Sequence, residues 1–213
     1  MTQTWLPWND YPGLTRERLL IVGDIIRDAR GEAADDHRPD KYETNWSLGV
    51  RGYERTCGAI SWSVQEHPWL SVVSGAGGGP VHFVMTIGGH PVRFYRGEPD
   101  EIPARYQQPS LPEVVELQRA LAIDSNLPEG RCLRIAIDND ATGRPSAIYL
   151  VEIDEELATP TNVYLIPELE QSGTVAEFAR PIPPAEIPPV TAEAIEDAGQ
   201  VTTDHKKTGS RDE

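Results

Sequence analysis

The sequence predicts an α+β fold in one domain, residues 1–178, built from antiparallel strands and two main helices. Two apolar patterns with helical spacing follow Thr15 and Ser110, and shorter runs that alternate apolar and polar residues lie around them, as in strands. The predicted strands are joined by short connections rich in Gly and Pro. These favour hairpins, because a parallel crossover needs about a dozen residues or more. The order helix, strands, helix, strands is typical of α+β proteins.

The first helix is predicted between Pro12-Gly13 and Gly31, with Thr15 as its N-cap. Its apolar stripe consists of Leu19, Val22, Ile26 and Ala29. The polar residues 32–45 then predict an exposed loop.

From Trp46 the pattern becomes typical of strands, which are predicted over residues 46–62, 69–74, 81–87 and 92–95. The segment Gly88-Gly89-His90-Pro91 predicts a hairpin turn between the last two of these strands. The glycines 75–79 predict a flexible loop, since no helix follows them to aim its N-terminus at a phosphate.

The second helix is predicted to begin at Ser110, where Ser110 and Glu113 have the spacing of a capping box. Its apolar stripe is Val114, Leu117 and Leu121. Three further strands are predicted after Gly130, over residues 133–137, 147–153 and 162–166.

The last 35 residues, 179–213, predict a disordered tail. All 15 aromatic residues of the chain lie at or before Phe178, whereas the tail is acidic and rich in proline. Such a segment buries too little apolar surface to offset the entropy lost on ordering. Its Pro-rich part, Arg180–Val190, has the composition of an extended spacer or of a docking peptide.

The chain is strongly acidic, with 19 Lys and Arg against 34 Asp and Glu and a net charge of −15. This charge argues against free nucleic acid as a partner, because affinity for polyanions comes from basic residues. It favours another protein with a basic surface. No apolar run reaches the roughly 20 residues of a membrane helix, and the N-terminal residues lack the pattern of an export signal. With two cysteines and no disulfide framework, we expect a cytoplasmic protein without membrane contact.

The segment His90–Tyr106 is the strongest candidate for a binding surface. It places Arg93, Arg96 and Arg105 among Tyr95 and Tyr106, the residue types that are enriched at protein interfaces. The alternative is a strand whose aromatic side chains enter the core while the arginines pair with acids.

Trp5 and Trp8 form a second candidate, an aromatic arm that precedes the first helix. Such an arm either packs on the helix beside it or serves as an exposed anchor for a partner. Both interpretations are compatible with the sequence.

The string Asp138-Asn139-Asp140-Ala141-Thr142-Gly143 follows a predicted strand. Over these six residues it resembles the D-x-D-x-T motif of the haloacid dehalogenase phosphotransferases, in which the first Asp attacks phosphorus. No lysine follows it before Lys206 to hold a phosphate. As a calcium loop it lacks the final Glu, because that position is Tyr149. Turn chemistry at a hairpin therefore explains the string best.

The sequence thus predicts a non-catalytic protein-binding module with a regulatory, antitoxin-like or inhibitory role and no cofactor. The alternative is a small metal-dependent hydrolase or phosphoesterase that uses Asp138, Asp140 and Glu152. Carboxylates on facing strands are suitable ligands for a divalent cation. However, no basic residue accompanies Glu152 to activate water, so no metal site is assigned.

Overall fold

The computed structural model describes residues 5–73 and 83–169 and has a mixed α/β architecture with a six-stranded sheet and several helices. A 3-10 turn, Pro39–Lys41, lies between the second and third helices. The helices are α1 (Pro7–Asp10), α2 (Arg16–Asp35), α3 (Asn45–Ser63), α4 (Ala104–Gln107) and α5 (Leu111–Ile123), and the strands are β1 (Leu70–Val73), β2 (Val84–Ile87), β3 (His90–Arg96), β4 (Arg131–Asn139), β5 (Pro145–Asp154) and β6 (Thr159–Leu165).

The six strands lie in the sheet in the same order as in the chain. All neighbours are antiparallel except β3 and β4, which are parallel, with Phe94 opposite Ile135. The prediction of a wholly antiparallel sheet is therefore wrong at this one pair. The physical reason is that residues 97–130, which contain α4 and α5, are long enough to return the chain to the other end of the sheet.

The strands predicted over residues 46–62 are also wrong, because this segment forms α3. Thr44 caps the helix by accepting the backbone N–H of Ser47 at 3.3 Å. Inside the helix, the hydroxyl of Thr56 donates to the carbonyl of Gly52 at 2.7 Å, so this β-branched residue is accommodated. The domain thus has three long helices, α2, α3 and α5, rather than two.

The first face of the sheet, here the helical face, is covered by α2 and α3. Its core joins Leu19, Val22 and Ile26 of α2 to Cys57 and Ile60 of α3. The strand residues of the same core include Met85, Ile87, Val92, Phe94, Leu133, Ile135, Ile137, Ile148 and Leu150. Both helices are amphipathic, so burial of their apolar stripes stabilises this layer.

The second face, here the crossover face, is covered by residues from the segment 97–123. Its apolar residues are Tyr95, Cys132, Ala136, Val151 and Ile153, with Ile102 and Tyr106 packed on them. Arg134 lies among them with no exposed surface. Its guanidinium pairs with the fully buried Glu113, and its Nε donates to the Tyr106 carbonyl at 2.7 Å. This arginine therefore fixes both α4 and α5 to the sheet.

Three local predictions are confirmed. The Thr15 hydroxyl accepts a backbone N–H of the first turn of α2 at 3.3 Å. Gly88 and Gly89 have positive φ angles of 58° and 89° and form the turn between β2 and β3. At the start of α5 the N–H of Ser110 donates to Glu113 Oε2 at 3.1 Å, which is one half of the predicted capping box.

Two predictions concern residues outside the described ranges. These are the glycine loop over residues 75–79 and the tail over residues 179–213. Among the helices within residues 5–73 and 83–169, none has the length and apolar content needed to span a lipid bilayer.

We expect Glu113→Gln to lower the free energy of unfolding by about 3 kcal/mol, because it leaves the buried Arg134 without a counter-charge. Urea unfolding followed by circular dichroism measures the change. The matched control is Glu116→Gln, since the Arg119 side chain that Glu116 binds is 65% exposed. Its cost should be below about 1 kcal/mol. Equal costs for the two variants would contradict the role given to Arg134.

Candidate functional site

The C-terminal half of β3 is the part of the sheet around which the candidate site is built. The described part of β2 pairs with β3 only from His90 to Val92. From Phe94 to Arg96, the described pairing of β3 is with β4 alone. Around this half of β3, α3 contacts Phe94 on the helical face and α4 contacts Tyr95 on the crossover face.

On the helical face, α3 brings Tyr53 onto Phe94, with ring centroids 5.0 Å apart. Two glycines of α3 lie beside this pair. A Cβ placed on Gly49 would lie 3.8 Å from Arg96 Nη1, and a Cβ on Gly52 would lie 3.8 Å from Arg30 Nη1. The small residues of α3 thus allow an arginine of α2 and an arginine of β3 to lie against the same side of this helix.

On the crossover face, α4 contributes Tyr106, whose ring packs 5.6 Å from that of Tyr95. The guanidinium carbon of Arg93 lies 4.5 Å from the centroid of the Tyr106 ring, and that of Arg105 lies 4.9 Å from it. Arg93 also donates to the carbonyl of Arg105 at 3.2 Å. These cation–π contacts stabilise the edge. Arg30, Arg93, Arg96 and Arg105 are called the arginine cluster below.

The arginine cluster is poor in counter-charges. Arg93 Nη1 lies 3.8 Å from Glu113 Oε2, and burial is the main cause that lowers the pKa of Arg93. Burial, followed by the positive charge of Arg96, lowers the pKa of Arg30 to about 10. Within residues 5–73 and 83–169, Arg30, Arg96 and Arg105 form no ion pair, although these ranges hold 25 acidic and 15 basic residues.

Large exposed apolar side chains lie in the first turns of α3 and just before the helix. Tyr42 is 96% exposed, Trp46 78% and Val50 36%. Trp46 and Val50 are one turn apart, and Gly49 and Tyr53 lie three and seven residues after Trp46, on the same side of the helix. Trp46 therefore lies on the side of α3 against which Arg96 packs at Gly49. Tyr42, Trp46, Val50, Arg96 and Arg105 are called the α3–β3 surface below.

Glu43 holds the loop that presents Tyr42. Its carboxylate accepts the backbone N–H of Arg38 at 2.8 Å and a guanidinium N–H of Arg51 at 2.5 Å. These two hydrogen bonds, the one from Arg51 first, lower the pKa of Glu43 to about 2. Tyr42 itself has a left-handed φ of 67°, which is uncommon for a residue with a side chain. The position of the exposed ring is thus set by an ordered loop.

The structure separates the five residues predicted as a binding segment into two groups. Arg96 and Arg105 are exposed. Arg93, Tyr95 and Tyr106 are only 6%, 2% and 4% exposed, so they hold the segment on the domain. The segment thus presents two arginines on its surface, while its tyrosines belong to the interior.

Trp5 and Trp8 are half-buried and pack on the domain. The indole N–H of Trp5 donates to Asp10 at 2.8 Å. The ring of Trp8 meets that of Tyr164 edge-on, with centroids 5.5 Å apart. These contacts agree with the interpretation of Trp5 and Trp8 as a packed arm rather than as an exposed anchor for a partner.

The three carboxylates of the hydrolase alternative lie apart. Asp140 caps its own turn and accepts the backbone N–H of Thr142 at 2.8 Å. Asp138 accepts the hydroxyl of Ser146 at 3.0 Å. Glu152 lies opposite Leu133, five residues along β4 from Asp138, a separation of roughly 16 Å at the rise of a strand.

Glu152 has a structural environment of its own. It is 4% exposed and accepts hydrogen bonds from the hydroxyls of Tyr11 at 2.7 Å and Thr161 at 2.6 Å, and from the amide of Asn162 at 2.7 Å. The part of the chain that the structure describes contains no group of three or more His, Cys, Asp or Glu side chains placed to hold a metal ion.

Sequence reasoning missed four members of this site, Arg30, Tyr42, Trp46 and Val50. The pattern of residues 46–62 predicts a strand for Trp46 and Val50, and the polar residues 32–45 predict a loop in which Tyr42 does not stand out. For Arg30 a signal exists, because it lies four residues after Ile26 on the buried stripe of α2, where a charged residue is unusual.

Comparison of the chain with protein-family models, with curated proteins and with solved structures gave no match.

We expect the stability contribution of Glu43 to depend on pH. Because folding lowers its pKa to about 2 from an ordinary value of 4.5, the contribution is complete above about pH 4.5 and is lost as the pH falls towards 2. Urea unfolding between pH 7 and pH 2.5 should therefore show a difference between wild type and Glu43→Gln that shrinks with falling pH. Glu54→Gln, at an exposed position of α3, serves as control. A difference that stays constant over this range would refute the role of Glu43.

Proposed function

We propose that the protein is a non-catalytic module that binds another protein in the cytoplasm, in a regulatory, antitoxin-like or inhibitory role. The observation that carries this proposal is the α3–β3 surface, where Tyr42 and Trp46 are 96% and 78% exposed and the exposed Arg96 lies against Gly49 of the same helix as Trp46. Trp, Tyr and Arg are the residues that most often dominate the energy of protein interfaces.

The scaffold below this surface favours binding. Trp46 lies in the first turn of α3, next to the capping residues Thr44 and Ser47, and the ion pair of Glu43 with Arg51 holds the preceding loop. A partner would therefore meet a largely preformed backbone, which reduces the entropy lost on association. The exposed rings contribute apolar area that becomes buried only in the complex.

Charge supports a basic partner. Residues 5–73 and 83–169 hold ten more acidic than basic side chains, so the field of the domain attracts positively charged surfaces over distances of about 8 Å at physiological ionic strength. Arg96 and Arg105 then offer local contacts, because a guanidinium binds carboxylates in a bidentate manner. The long-range and short-range contributions are thus separable.

The positions of the acidic residues support binding over hydrolysis. Asp138, Asp140 and Glu152 each form hydrogen bonds that serve a turn or a buried network. Cys57 and Cys132 are free and buried. Burial raises the pKa of both thiols to about 12, so they suit a structural role in a reducing compartment better than nucleophilic chemistry.

The test is affinity capture from the native host followed by measurement of the captured complex. We expect Trp46→Ala to weaken binding by about 2 kcal/mol or more, roughly thirtyfold, mainly through faster dissociation. The matched control is Trp62→Ala, since Trp62 is also exposed on α3, at 55%, but lies about 24 Å further along the helix.

Added salt should slow association of the wild type and of both variants, because the long-range charge is unchanged in them. If Trp46→Ala and Trp62→Ala bind the captured protein equally well while both remain folded, the α3–β3 surface is not the interface.

A further inference from the structure

Arg30 is a buried cation that has no counter-charge among residues 5–73 and 83–169. The residue is 4% exposed, and its Nε has no hydrogen-bond partner in these ranges. Among the described residues, every other buried Arg, namely Arg93 and Arg134, has the carboxylate of Glu113 within 4.0 Å. Arg30 has no carboxylate within that distance in the same part of the chain.

The titratable groups that act on Arg30 do not supply the missing charge. Arg96 is itself a cation and disfavours the charged form of Arg30. The two groups that favour the charged form are Cys57 and Tyr106, a thiol and a phenol. Burial raises the pKa of the Cys57 thiol to about 12, so it is neutral at pH 7. The local charge at pH 7 is therefore positive on both α2 and β3.

Such an arrangement is costly for folding. An uncompensated buried charge destabilises the folded state, and a second charge of the same sign nearby increases that cost. Residues 5–73 and 83–169 hold 25 acidic side chains, yet none of them lies within 4.0 Å of Arg30. A bound anion would supply the missing charge.

The backbone leaves space for it. The Arg30 side chain lies across Gly52, with its Cγ 3.9 Å and its Nη1 3.8 Å from a Cβ built there. Arg96 Nη1 has the same relation to Gly49, one helical turn away. Two guanidinium groups thus lie against glycines one turn apart on the same side of α3, and Arg96 is exposed to solvent.

We propose that Arg30 and Arg96, lying against Gly49 and Gly52 of α3, form a binding site for an oxyanion, a carboxylate or phosphate group. Guanidinium groups present parallel N–H donors that match the oxygens of these anions. The anion neutralises Arg30 and bridges α2 to the end of β3. The site goes beyond the proposed protein-binding function and does not depend on it.

The experiment is a titration of the full chain with inorganic phosphate at constant ionic strength, which NaCl maintains. The thermal midpoint and the NMR signal of the Arg30 Nε–H are followed. Two charge-assisted contacts correspond to a Kd of about 1 mM or tighter. We expect both signals of the wild type to respond with that affinity, and Arg96→Gln to weaken the response at least about tenfold.

Two further variants separate binding from folding. Arg30→Met removes the buried charge and keeps most of the volume, so without phosphate its thermal midpoint should equal or exceed that of the wild type, and phosphate should not raise it. Arg16→Gln removes an exposed arginine elsewhere on α2 and should respond like the wild type. The proposal is overturned if the wild type gives no response up to about 50 mM phosphate, or if Arg96→Gln responds as strongly as the wild type.

A parallel titration with acetate distinguishes the sources of the anion. Affinity for acetate within about tenfold of that for phosphate supports a carboxylate, such as an acidic side chain of a partner. Affinity for phosphate that is more than about tenfold higher supports a phosphorylated small molecule, because two guanidinium groups then bind a dianion.

Discussion

The parallel pairing of β3 with β4 is the constraint on which the rest of the structure depends. Because both strands run in the same direction, the chain must return from the end of β3 to the start of β4, and residues 97–130 cross the sheet to do so. Arg134 holds this crossover in place through Glu113 and through the backbone of Tyr106. Arg93 adds a second attachment, because it donates to the carbonyl of Arg105 in α4 and lies 3.8 Å from Glu113 of α5.

The same constraint creates the candidate site. With α4 on one side and α3 on the other, the end of β3 lies between two helices. Tyr106 and Arg93 are turned inward, whereas Arg96 reaches the surface beside Gly49. Among the described residues, Arg96 thus lies without an ion pair against the helix that carries the exposed Trp46. Stability alone does not require this arrangement, since buried charge and exposed apolar surface both cost free energy.

Local signals in the sequence predicted local structure well. Thr15 caps a helix, Gly88-Gly89 forms a hairpin turn, and Glu113 accepts the backbone N–H of Ser110 at the start of α5. These features could be predicted because each depends on residues only a few positions apart. The strand prediction for residues 46–62 was wrong. Their aromatic and β-branched content favours strands, but packing against α2 stabilises a helix. The parallel pair depends on contacts distant in sequence, so composition and spacing alone did not reveal it. The spacing of Arg30 after Ile26 indicates that Arg30 is buried, but its lack of a described counter-charge depends on distant contacts.

The central claim is that a partner protein contacts the α3–β3 surface, and photo-crosslinking in the native host tests it most directly. A photoreactive phenylalanine analogue replaces Trp46 in one variant of the full chain and Trp62 in another, since both positions are exposed on α3. We predict that irradiation joins a specific protein to the chain from position 46 and not from position 62. A specific adduct from position 62, with none from position 46, would contradict the claim.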